Sequence, residues 1–222
     1  MTDTAAAFIR LHARLTEVAG VPEIRIHQAD EPIGLWELSE GEFHSEQPPP
    51  FWAFAWAGGQ ALARYVLDHP ETVAGQPVLD LAAGSGLVAI AAARAGATSV
   101  RAVEIDSRAV AAIALNAAAN EVTVEAEHGD LLDGDAGDAR VILAGDVFYS
   151  EVMARRMLRF LLRAAAGGAE VLVGDPERAY LPRERFTALA TYQIPVPEAL
   201  ESVQVRPTTV WRLRPPANRP AG

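Results

Sequence analysis

Cysteine is absent from all 222 residues, which excludes disulfides, thiolate metal sites and a cysteine nucleophile. Lysine is absent as well. All 19 basic residues are arginine, so no P-loop lysine, Schiff-base lysine or lysine general base is available. Long apolar runs are also missing. The opening "MTDTAAAFIRLHARLTEVAG" has no apolar core of signal-peptide or membrane-span length, and acids interrupt its arginines, unlike an organelle transit sequence. The expectation is a cytoplasmic protein that neither enters nor crosses a membrane, in keeping with the missing cysteines. Positive charge is scarce: 29 acidic residues leave a net charge of -10, which argues against a general nucleic-acid binder. The five histidines (His12, His27, His44, His69 and His128) show no metal-ligand spacing. "LDGDAGDA" lacks the glutamate of a calcium loop, and no G-x-S-x-G elbow occurs. No metal site is expected.

Half of the residues are hydrophobic, and one domain of this length buries roughly 70% of its extended surface, enough core to fold without a staple. Phe8, Leu11, Leu15 and Val18 recur at three- and four-residue intervals and predict a helix over 4–19. Residues 24–46 alternate loosely, as short strands or an arm. "QPPPFW", Gln47 to Trp52, is a stiff extended lead-in to a helix that Gly58-Gly59 opens and Pro70 closes. From Val78 onward strand and helix alternate. Strands are expected at 78–82, 99–104, 122–126, 141–145 and 169–174. Helices are expected at 87–95, at 107–119 capped by Ser107, at 151–165 and at 183–192, with two last strands at 203–205 and 208–213. Apolar strands separated by helices imply an α/β fold, a parallel sheet covered on both faces, with the final pair added antiparallel. The expected organisation is an N-terminal helix and arm (1–46), one main domain (47–214) and a flexible tail (215–222).

"VLDLAAGSGLVAIAAARAG", Val78 to Gly96, is a strand, a glycine turn and a helix. Gly84, Gly86 and Ala89 satisfy the G-x-G-x-x-G/A fingerprint of a dinucleotide site, a weak signal alone. Three acids at successive strand ends decide which ligand the turn takes, although the second, Glu104, fits a dinucleotide as well. Asp80 lies inside the strand, where it repels phosphate and attracts a cation. Glu104 ends the next strand and is placed to accept from ribose hydroxyls. Asp130, in "EHGDLL", is placed to accept from an adenine amino group. A nucleoside with a cationic tail meets all three, and S-adenosylmethionine is such a molecule.

"VLDLAAGSG", "AVEID", "GDLL" and "LAGDVFY" resemble the successive motifs of class I S-adenosylmethionine-dependent methyltransferases. That resemblance implies a Rossmann-like, doubly wound seven-stranded sheet with an antiparallel last strand. It also implies S-adenosylmethionine as cofactor and S-adenosylhomocysteine as product. Ala82 stands where the usual first glycine would be. "PFWAFAWAGGQALARYVLDHP", "AGDVFY" and "GDPERAYLP" further resemble the seven-β-strand protein-lysine methyltransferases. Within these the nearest is the group acting on the electron transfer flavoprotein beta subunit, which implies a protein partner. The resemblance runs from about Pro50 to Leu213. It implies that Trp56 touches the cofactor and that Asp146, opening "DVFY", orients the incoming amine through its carbonyl or carboxylate. Phe148 or Tyr149 would wall the channel together with Trp52, Phe54 and Trp56. Asp175, Arg178 and Tyr180 would line its entrance, and Arg155, Arg156, Arg159 and Arg163 would form a solvated face. The missing lysines fit codon preference, or avoidance of self-modification by an enzyme acting on lysine. A methyltransferase for another protein or a small amine, an NAD-dependent oxidoreductase and a non-catalytic cofactor-binding module remain the alternatives.

Overall fold

A computed structural model of the chain describes residues 2–29, 49–196 and 203–214. The arm expected over 24–46 is described only as far as Ala29, where it is strand; its remainder, the boundary at 46/47 and the tail at 215–222 lie outside the described residues. The chain forms α1 (Thr2–His12), β1 (Ala13–Val18), β2 (Val21–Ala29), α2 (Ala57–Asp68), β3 (Pro77–Leu81), α3 (Leu87–Arg94), β4 (Ser99–Glu104) and α4 (Ser107–Ala119). Then come β5 (Glu125–His128), β6 (Val141–Gly145), α5 (Glu151–Ala166), β7 (Glu170–Asp175), β8 (Phe186–Pro195) and β9 (Val205–Leu213).

Seven strands make one sheet in the order β5-β4-β3-β6-β7-β9-β8. Strands β5, β4, β3, β6 and β7 pair in parallel, while β9 runs antiparallel to both of its neighbours. The apolar strands alternate their side chains between two cores. Val78, Val141, Leu143 and Leu172 face α2 and α3 on one side, and Leu79, Ile142, Val171 and Val173 face α5 on the other. Helix α5 shows why such a segment is helical. Ser150 caps it by accepting from Met153 N–H, and Ala154, Met157, Phe160, Leu161 and Ala164 form its buried stripe. The chain order reverses between β3 and β6, so the carboxyl ends of these strands bound a crevice, the usual place for a ligand in such sheets.

Several expected elements differ. The helix expected over 4–19 stops at His12, and residues 13–29 form an antiparallel hairpin turned at Ala19-Gly20. Pairing places Val18, Val21, Ile24 and Ile26 in the core and leaves Leu11 and Leu15 exposed, so the three-and-four spacing did not mark a buried face. The strand expected at 122–126 begins at Glu125, because Glu121 (φ +58°) and Val122 close α4, with Val122 N–H bonding Ala117 O. Asp106, rather than Ser107, caps α4 by accepting from Arg108 N–H. Residues 183–192 are no helix: a single 3-10 turn at Arg183–Arg185 leads into β8, which pairs along its length with β9. The antiparallel pair is therefore 186–195 with 205–213, not two short strands after residue 203.

Candidate functional site

The carboxyl ends of β3, β4, β5 and β6 enclose a cavity of about 390 Å³, within the size range of small-molecule sites. Its floor is the glycine turn. Ala82 adopts φ +56°, which costs a residue with a Cβ about 1–2 kcal/mol, and Gly84 and Gly86 follow at φ +53° and +77°. A Cβ on Gly84 would meet nothing within 4 Å, so bare backbone borders the cavity there. A Cβ on Gly86 would come within 3.1 Å of Ile113, which fixes glycine at that turn.

The three strand-end acids all line the cavity. Asp80 is 1% exposed, and its Oδ2 accepts from Ala89 N–H in the first turn of α3 at 2.9 Å. Burial, with nearby Glu104 adding to it, pushes its carboxyl up to about 8. Glu104 Oε2 accepts from Gly84 N–H at 3.0 Å and Oε1 from Ile105 N–H at 2.7 Å, so the end of β4 is tied to the glycine turn. Burial raises its carboxyl too, against those main-chain donors. Asp130 is more open. Burial acts upward on it, but Leu132 N–H and the Arg156 guanidinium outweigh that and hold it below the ordinary carboxylate range. Arg156 reaches both Asp130 (2.9 Å) and Asp133 (2.8 Å), and Arg163 donates to Leu132 O and Gly134 O. These two arginines clamp the loop after β5 onto α5. Arg155, Arg159 and Arg163 are exposed, as expected of a solvated face, while Arg156 is half-buried against the loop.

Aromatic rings form the opposite wall. Trp56 caps α2 through its main chain and donates its indole N–H to Phe51 O at 2.9 Å. Phe51 packs against both Trp56 and Tyr149, with ring centroids 5.9 Å apart in each pair. Tyr149, half-exposed, faces the cavity with Trp52, Phe54 and Trp56. Phe148 does not. It is fully buried against Phe186 in the α5 core, so the channel-wall expectation holds only its neighbour. Phe51, Asp106 and Met153 also line the cavity and were not picked out in the sequence; the proline run before Phe51 was the one available sign.

Asp146 ends β6 at φ +55° and borders the cavity. Both carboxylate oxygens are engaged: Oδ2 accepts from Gly59 N–H at 2.9 Å and Oδ1 from Arg178 at 3.0 Å. Gly58, Gly145 and Gly174 let the start of α2 cross β6 and β7 backbone against backbone. Asp175 and Arg178 meet there, Arg178 N–H donating to Asp175 Oδ1 at 2.7 Å, but Arg178 alone of the two lines the cavity. Tyr180 is an exposed side chain in the loop that follows.

The N-terminal hairpin reaches the glycine turn through Asn116, which is fully buried on α4. Asn116 Oδ1 accepts from His27 N–H at 2.9 Å, and its amide donates to Ser85 O at 2.8 Å. Asn116→Leu is expected to leave both partners unpaired at about 1–3 kcal/mol each and to loosen the turn. Urea unfolding with and without S-adenosylmethionine checks this, with a smaller ligand-induced gain expected in the variant.

A family model described as ribosomal protein L11 methyltransferase (PrmA) matches residues 61–163. The electron transfer flavoprotein beta subunit lysine methyltransferase of Danio rerio is 39% identical over 171 residues, covering 74% of this chain and 66% of its own length. Its Xenopus laevis counterpart is 33% identical over 215 residues, covering 94% and 87%. Among solved structures, the ribosomal protein L11 methylase of Lactobacillus delbrueckii subsp. bulgaricus shares the fold, with TM-score 0.52, 21% identity, and 72% and 81% of the two chains covered.

Proposed function

The chain belongs to the electron transfer flavoprotein beta subunit lysine methyltransferase family, and we propose that it methylates a lysine side chain of a protein, using S-adenosylmethionine. The names of its relatives point to an electron transfer flavoprotein beta subunit as acceptor. One observation carries the reading: a single cavity joins a buried acid on β3, an acid ending β4 and an acid after β5 to a wall of aromatic rings.

Bound there, S-adenosylmethionine supplies an electrophilic methyl group on a cationic sulfur. Glu104 keeps lone pairs for ribose hydroxyls while Gly84 N–H holds its carboxylate in place. Asp130, fixed by Arg156, would accept from the adenine amino group. Asp80 attracts the cationic amino-acid end. Trp56, Phe51 and Tyr149 exclude water and tolerate positive charge over their faces. A free lysine has a pKa of ~10.4, so presenting it neutral near pH 7.4 costs ~4 kcal/mol, which an apolar channel lowers by disfavouring the ammonium. With the Asp146 carboxylate engaged by Gly59 and Arg178, orientation of the amine falls to the Asp146 carbonyl.

The test is incubation of the purified enzyme with methyl-labelled cofactor and an electron transfer flavoprotein beta subunit, followed by peptide mapping. Label in a lysine is expected. Label confined to small molecules would overturn the protein-lysine reading.

A further inference from the structure

The stretch "GDPER", Gly174 to Arg178, brings a guanidinium back over the cavity. Gly174 is forced small by Gly58, whose carbonyl oxygen would stand 2.0 Å from a Cβ there. Asp175, fully buried, accepts from Arg178 N–H across the turn, and Glu177 takes φ +62°. The Arg178 side chain then lies 3.0 Å from Asp146 Oδ1, with only 20% of that arginine and 11% of that aspartate exposed. Arg178 and Asp146 both border the cavity beside the aromatic wall. This effort is directed at a carboxylate standing where the proposed acceptor amine would enter.

A carboxylate at that place is a hazard for methyl transfer to an amine. An ammonium that pairs with it is stabilised in the protonated form and has no lone pair to offer. We infer that Arg178 is a positioning residue that occupies Asp146 and so denies the acceptor ammonium a counter-ion, keeping the acceptor in its reactive neutral form. The inference rests on the amine-methylating reading above. The charged groups against Asp146 are Arg178 from the loop after β7 and Asp175 at the end of β7; Asp80, Glu104, Asp106, Asp130 and Arg156 line the same cavity. The other bond to its carboxylate is from the main-chain N–H of Gly59, at the positive end of α2. Arg178 is thus the side-chain cation that pairs with Asp146.

The experiment is the pH dependence of methyl transfer by wild type, Arg178→Gln, Arg178→Lys and the double variant Asp146→Asn/Arg178→Gln. An unmasked carboxylate raises the pKa of a nearby ammonium by about one unit or more. In Arg178→Gln the rising limb is therefore expected to move alkaline by at least about one pH unit, roughly tenfold in rate near neutrality, and to converge with wild type at high pH. Asp146→Asn/Arg178→Gln lacks the trap, and its limb is expected to return to the wild-type position. Arg178→Lys keeps the cation and the wild-type limb. A rate lowered by one factor at every pH in Arg178→Gln, or a shifted limb in Arg178→Lys, would overturn the role. Wild type that labels no amine at all would instead remove the functional reading on which the role depends.

Discussion

Asp80→Asn is expected to remove most of the cofactor affinity while making the unliganded protein more stable at pH 8. Both effects come from one buried carboxyl. With S-adenosylmethionine bound, the carboxylate faces a cation, and truncating one partner of a buried charge pair typically costs about 2–5 kcal/mol, roughly 30-fold or more in dissociation constant. Without the ligand the same carboxyl is a burden. Its folded value of about 8 lies above the ordinary 3.8, so the folded state holds the proton more tightly than the unfolded state does. As pH rises from about 4 to about 8 the unliganded wild type must therefore lose stability. Asparagine keeps an acceptor for Ala89 N–H and never ionises. Part of the slope should survive in the variant, because burial also raises Asp175, to about 6. Thermal melting at pH 5 and pH 8, with and without cofactor, separates these effects. A gain of ~1 kcal/mol raises Tm by about 2–4 °C in a chain of this size.

Gly174→Ala is expected to cost about 1–3 kcal/mol or more and most of the activity. The added Cβ would stand 2.0 Å from Gly58 O, 2.8 Å from Gly58 C and 2.9 Å from Leu62 Cβ. Two of these are backbone atoms, so α2 must lift from β7. That movement also draws Gly59 N–H away from the Asp146 carboxylate, which it meets at 2.9 Å. Denaturant unfolding and methyl transfer, measured together, check both consequences. Wild-type stability in this variant would contradict the close crossing of α2 over the sheet.

The central sheet was legible because its strands are buried on both faces and read as short apolar runs between glycine-ended helices. The three cavity acids were legible for a related reason: Asp80 and Glu104 punctuate apolar strands, Asp130 follows β5, and the fold brings those strand ends to one crevice. What escaped depends on partners far along the chain. Residues 13–19 and 183–192 carry enough Ala, Leu and Arg to read as helix, but strand pairing with segments further along the chain decides their state. Nothing local distinguishes Phe148 in the core from Tyr149 at the cavity. The engagement of Asp146 by Gly59 and Arg178, 87 and 32 residues distant, becomes visible only when α2 crosses β7.

Titration calorimetry of the purified protein at pH 7, run in two buffers of different ionisation enthalpy, tests the identity of the ligand most directly. S-adenosylmethionine is expected to bind with release of a proton, as its cation lowers the carboxyl of Asp80, and to add ~2.7 kcal/mol of stability at 100 times its dissociation constant. NADH should give neither signal. Binding and stabilisation by NADH, with none by S-adenosylmethionine, would contradict that expectation.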